Sequence, residues 1–349
     1  MRLRSLIVLG TAALLLVSGC AAEPAAEPKP SGSPSATASS TGTPSPTPAS
    51  IVEPAAAFDV TCDDVAATMA ELVGEPSTPV APALSLVSAM GWLPGPGQYM
   101  FQRAGGIACS AGDTERSWEV TIVPDARAVI AGATERQGFW GEQASCEDGR
   151  CGFELPDGDV LLSATVVDPD LGADDTAPIE EALRRIAASA AASLREVDYV
   201  ESDIVGAPCE RFITPEQVNA EFGVTDAALF SDFGGWGIPA EVYEVVNGSR
   251  ICYFKSAGSE YEGSSYLMLT TLPAGAWASE KIDGEPVELE GADAATASTG
   301  ANGEKIVDVR VGPDWIRLVT FDNGAGAADP APLAQQVVRS LTVGHTAPQ

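Results

Sequence analysis

At 349 residues, with 49 acidic against 19 basic side chains, the chain carries a formal charge of −30. Nucleic-acid affinity rests on basic residues that neutralise phosphates, so that partner is excluded, and so is charge-driven binding to an anionic membrane face. Acidity on this scale serves solubility.

Arg2 and Arg4 precede a mostly aliphatic run from Leu6 to Val17. It is shorter than the roughly 20 residues a spanning helix needs, and the layout predicts a signal peptide over 1–19. The run ends Leu16-Val17-Ser18-Gly19-Cys20, which resembles the lipobox of bacterial lipoproteins. The resemblance implies cleavage before Cys20 and diacylation of its thiol, two acyl chains being what stable anchoring takes. Loss of Arg2 and Arg4 leaves 17 basic against 49 acidic residues, near −32. Residues 20–57 are dominated by Pro, Ser, Thr and Ala, with no aliphatic cluster to offset the entropy of ordering, so a disordered tether is expected. Extended, it would reach roughly 100 Å at about 3.1 Å per residue.

The remainder is organised around a stretch that occurs twice. Gly91-Trp92, Pro96, Tyr99 and Gly105-Gly106-Ile107-Ala108-Cys109 are answered by Gly235-Trp236, Pro239, Tyr243 and Gly248-Ser249-Arg250-Ile251-Cys252. Trp to Cys spans 17 positions in one copy and 16 in the other. Such self-similarity predicts a duplication, with repeat domains over 58–198 and 199–344 and a tail over 345–349. Beyond Cys20 there are six cysteines, an even number in an exported chain, which predicts disulfides. The repeat pairs Cys62 with Cys109 and Cys209 with Cys252, and leaves Cys146 with Cys151 in a hairpin-like turn.

In the first repeat Thr61 caps a helix with Asp64, and Val65, Met69 and Leu72 form its apolar stripe. In the second, Thr214-Pro215-Glu216-Gln217 is a capping box with proline at the first helical position, and Ile213 with Val218 can form a hydrophobic staple. Cys62 directly follows its cap whereas Cys209 lies five residues before, which leaves the helix register open. Trp118, Val120 and Ile122 alternate as a strand, answered by Tyr266 to Leu272, and proline follows each at Pro124 and Pro273. Turn residues at Pro156-Asp157-Gly158-Asp159 and Pro313-Asp314 predict hairpins into Val160–Val167 and Trp315–Phe321. Each repeat closes on a helix, with Ile179, Leu183, Ile186, Ala190 and Leu194 in one and Leu333, Val337 and Leu341 in the other, the latter capped by Asp329-Pro330. The expected fold is α+β: two tandem related domains, each an antiparallel sheet with helices mainly on one face, disulfide-braced. A single sheet shared by both halves is the alternative.

Cysteines at the opening helix and in a strand 40-odd residues on, with a closing helix, a lipobox and a Pro/Ser/Thr tether, resemble small secreted lipoproteins of actinobacteria. The extracellular sensor domains of mycobacterial receptor kinases are similar in plan. The resemblance implies a fold and an address, and carries no catalytic residues across.

The only histidine is His345, near the C-terminus, and no lysine has a serine three positions before it, so common nucleophilic hydrolases are excluded. Asp168, Asp170, Asp174 and Asp175 crowd one loop, but an EF-hand starting at Asp168 would need glycine at Ala173 and glutamate at Ile179. No metal and no cofactor is expected. The repeated aromatics Trp92, Tyr99, Trp236 and Tyr243 are candidate binding residues, able to line equivalent pockets or a groove between the halves; packing is their other use. Phe139-Trp140 and Trp277 lie in less constrained segments nearer a surface site. The expected protein is a non-enzymatic lipoprotein on the outer face of the cytoplasmic membrane, reaching into the cell wall, that binds or senses an envelope ligand. The alternatives are a lipid or glycolipid carrier and an envelope interaction protein with a protein partner.

Overall fold

The computed structural model describes residues 51–85, 95–231, 237–258, 263–324 and 326–342. The leader, Cys20, most of the tether, Trp92, Trp236 and His345 lie outside them.

The first repeat opens with helix α1 (Cys62–Val73), followed by a 3-10 turn (Pro96–Tyr99) that runs into the short helix α2 (Met100–Arg103). Strands β1 (Ile107–Gly112) and β2 (Ser117–Pro124) follow, then α3 (Ala126–Glu135), β3 (Gln143–Glu147), β4 (Arg150–Asp157), β5 (Val160–Val167) and α4 (Thr176–Ala192). The second runs α5 (Cys209–Phe212), α6 (Pro215–Phe222), β6 (Ala227–Phe230) and α7 (Ile238–Ala240), the last continuing into a π-helical turn (Glu241–Val246). Then come β7 (Ile251–Ser256), β8 (Ser265–Leu272), α8 (Ala276–Ser279), β9 (Glu285–Pro286), β10 (Ala294–Thr299), β11 (Lys305–Val311), β12 (Asp314–Thr320) and α9 (Ala331–Thr342).

The strands form two sheets, a five-stranded one in the order β1-β2-β5-β4-β3 and a seven-stranded one in the order β6-β7-β8-β12-β11-β10-β9. All pairings are antiparallel. Without its outer strands β6 and β9, the second sheet has the order and chain sequence of the first, so the duplication extends to topology. Where β6 pairs β7, the first repeat has a single bridge from Ala81 to Ser110. The shared-sheet alternative is overturned.

Both capping boxes form. Asp64 N–H donates to Thr61 Oγ1 and the Asp64 carboxylate accepts from Thr61 N; Gln217 and Thr214 do the same. The open register is resolved by a break: Cys209 starts its own turn, α5, so each helix-side cysteine opens a helix. The disulfides are Cys62–Cys109, Cys146–Cys151 and Cys209–Cys252. The outer face of the first sheet, with Val120, Ile122, Phe153, Leu162 and Val166, packs on α1 and α4. The second sheet, with Phe254, Leu269, Ile316 and Leu318, packs likewise on α5, α6 and α9.

The inner faces meet. Val123 and Leu161 of the first sheet share a core with Ile251, Met268 and Val319 of the second, through Phe101, Val129, Val242 and Tyr243 on the short elements between them. The described residues belong to one compact unit: the repeats own separate sheets but a common third core. The segment 53–57, which composition places in the tether, is laid on this body. Ala57 is 3% exposed and its N–H donates to Gly105 O, while Glu53 pairs with Lys281. The chain is ordered here because Ala57 and Phe58 fill the core that α1 and α4 leave open.

Candidate functional site at the seam between the repeats

In each repeat the backbone wraps into the cysteine-bearing strand in the same way. Three residues before the strand cysteine, Gly106 N–H donates to Phe101 O at 2.7 Å, and Ser249 N–H to Tyr243 O at 3.0 Å. Tyr243 is therefore the counterpart of Phe101 and not of Tyr99. One extra residue in the second turn makes it π-helical, a distortion often found at functional sites.

The glycines that follow are placed for close approach. Gly105 and Gly248 have φ of 76° and 61°, open to glycine at no steric cost. A Cβ on Gly105 would stand 2.8 Å from Val197, and one on Gly248 2.7 Å from Gly206 N. Gly206 N–H donates to Gly248 O as Ala57 N–H does to Gly105 O. The connection between the repeats thus runs across both turn glycines.

Beneath it lies a pocket of about 390 Å³. Arg103, 4% exposed, donates from Nε to Pro273 O at 2.6 Å and from Nη2 to Val200 O at 3.0 Å, with its guanidinium 5.4 Å from the Tyr199 ring. Burial holds its pKa below the usual guanidinium value. Asp314 acts on it electrostatically, but among the described residues no carboxylate comes within ion-pair reach of it. Burial raises the Asp314 carboxyl, which accepts Ala274 N–H at 2.8 Å. Asn247, fully buried, donates from Nδ2 to Met100 O at 2.8 Å across the seam, and among the described residues its Oδ1 has no partner. The mouth is apolar: Tyr199, Val200 and Val205 are 40, 38 and 50% exposed. Glu201 and Asp203 also line the pocket.

Of the candidate aromatics, the two described, Tyr99 and Tyr243, sit elsewhere. Tyr99, 8% exposed, packs edge-on to Trp277 with centroids 5.7 Å apart and lies 6.0 Å from Trp315. Tyr243, 1% exposed, donates its hydroxyl to Thr271 O at 2.6 Å, and burial pushes its phenol pKa up. Both are seam packing and neither lines the pocket. Trp277, expected nearer a surface, is buried, whereas Trp140 is exposed. The acidic loop is internally bonded: Asp168 accepts Asp170 N–H and pairs with Arg116, and Asp175 accepts Gly172 N–H ahead of α4. A larger groove of about 650 Å³ runs between α1 and α4. Several of its polar side chains are engaged within or beside their own helices, Thr68 with Asp64 O, Ser193 with Ser189 O and Arg185 with Glu181.

Sequence reasoning missed Arg103, Asn247, Tyr199 and Val205. A signal existed: Arg103-Ala104 and Val246-Asn247 directly precede the repeated glycine turn, and Tyr199 to Val205 follow the predicted boundary between 198 and 199. Comparison with family models, curated proteins and solved structures finds no match for this chain.

Proposed function

We propose that this protein is a membrane-anchored, extracytoplasmic binding module, non-enzymatic, that holds a small ligand in the seam pocket. The observation that carries the reading is a buried guanidinium and an unpartnered buried amide oxygen on one pocket floor, at the junction of two repeats. Ligand sites combine an apolar wall with a few fixed polar groups, and about 390 Å³ lies at the small end of their range. That volume favours a small molecule over the paired acyl chains a lipid carrier would hold. Three disulfides support an oxidising compartment, and the lipobox-like run before Cys20 supports the anchor.

The test is mass spectrometry of the full chain extracted from membranes, native and then denatured. A mass excess that disappears on denaturation, with a diacylated Cys20 at the N-terminus, supports both parts. A bound diacyl lipid would shift the reading to a carrier. A bare native mass that no small molecule alters on titration would remove the binding reading and favour an interaction protein. A chain whose N-terminus is unmodified and lies past Cys20 would remove the anchor.

A further inference from the structure

We infer that the seam pocket takes a small zwitterion with an apolar side chain, an α-amino acid in chemical class. The inference rests on the binding reading above and names its ligand.

Three features select that chemistry. Arg103 is almost wholly buried, yet its hydrogen bonds go to neutral carbonyl oxygens of Pro273 and Val200. Asp314 acts on it only at a distance, a desolvated charge without a carboxylate in contact is costly, and a ligand carboxylate supplies a charge-assisted bond where water does not compete. Asn247 Oδ1 is an acceptor in want of a donor, since its amide nitrogen is committed to Met100 O. An ammonium satisfies it, and Glu201 and Asp203, which line the same pocket, favour positive charge there. Tyr199, Val200, Val205 and Val246 then leave an apolar wall for a side chain. The formal charge of −30 separates a zwitterion from a simple anion: long-range repulsion opposes a net negative ligand and leaves a neutral one unaffected.

The probes are L-leucine, leucinamide, which lacks the carboxylate, and 4-methylpentanoate, which lacks the ammonium, titrated calorimetrically into the full chain. Leucine is expected to bind saturably, and each analogue at least tenfold more weakly, as loss of a charge-assisted bond implies. Because only the ligand changes, the comparison does not depend on a variant that folds. Val205→Trp, at an exposed position of the mouth, is expected to abolish binding with the melting temperature unchanged. Equal binding of either analogue overturns the two-point recognition, and leucine binding that survives Val205→Trp overturns the location. If none of the three binds at millimolar concentration, the ligand class falls. The native mass then decides the wider reading, which stands if an adduct is present and lost in Val205→Trp, and falls if the mass is bare.

Discussion

Replacing Asp308 by asparagine tests whether the two repeats share a dry core. Asp308 and Arg317 stand directly opposite on β11 and β12, on the face turned toward the first repeat. Arg317 donates from Nε to Asp308 Oδ1 at 2.7 Å and from Nη2 to Oδ2 at 2.8 Å, and Trp315 Nε1 adds a bond to Oδ1 at 2.7 Å. Both side chains are 5% exposed. Gly95 of the first repeat lies against the guanidinium so closely that a Cβ there would be 2.5 Å from its Cζ. Asparagine keeps the shape but turns an acceptor into a donor and leaves a buried charge unpaired, a loss of about 3–5 kcal/mol. At about 2–4 °C per kcal/mol for folding units of this size, the melting temperature falls by roughly 6–20 °C. Urea denaturation under non-reducing conditions, followed by circular dichroism, measures the loss. The double variant Asp308→Leu/Arg317→Met is expected to lose less than Asp308→Asn alone, since no charge is stranded. Gly95→Ala displaces the same guanidinium, so its cost and that of Asp308→Asn are sub-additive. A loss under about 1 kcal/mol for Asp308→Asn, the range of an exposed ion pair, would mean that Arg317 reaches water and that the repeats do not close on one another.

Glu154, on the inner face of β4 with its carboxylate accepting from Ser163 Oγ at 2.5 Å, is pushed up to about 7 by burial. With the folded value above the unfolded 4.5, stability from this group is full below pH about 4.5 and is lost as pH rises through about 7, by at most about 3 kcal/mol. Glu154→Gln flattens that slope in denaturation curves at pH 5 and pH 8, and an unchanged slope rules the group out as its source. Tyr243→Phe recreates the Phe101 of the first repeat and forfeits one buried hydrogen bond, so equilibrium unfolding should register about 1 kcal/mol; a loss above about 4 kcal/mol would mean the ring itself had moved. Replacing Cys209 and Cys252 by alanine opens a 43-residue loop, and the Cys146–Cys151 pair one of five, at about 4 and about 2 kcal/mol in the chain-entropy account. Paired stability measurements that reverse that order would place the effect in native packing instead.

Much of the fold is local chemistry and could be read from the chain. Thr61 with Asp64 and Thr214 with Gln217 declare their helices through caps three residues long, and Trp118-Val120-Ile122 declares its strand through alternation. The seam is not local. Trp315, Arg317 and Val319 share the inner face of β12 with nothing in their own segment to show that the first repeat covers them. The ion pair could still have been found: a two-residue turn at Gly312-Pro313 fixes the hairpin register and sets Asp308 opposite Arg317. The pocket was hidden for a different reason. Counted back from the strand cysteines, Arg103 corresponds to Val246 and Ala104 to Asn247, so the pocket forms where equivalent positions of the two repeats meet. A repeat draws attention to what is the same in both copies; of these, Tyr99 and Tyr243 are core residues and Gly105 and Gly248 close-approach residues. Recognition needs groups that differ, because a guanidinium meeting its own copy would repel it while a guanidinium beside an amide can bind. The duplicated glycine turns bring the positions together, and divergence at those positions gives the pocket its polar floor.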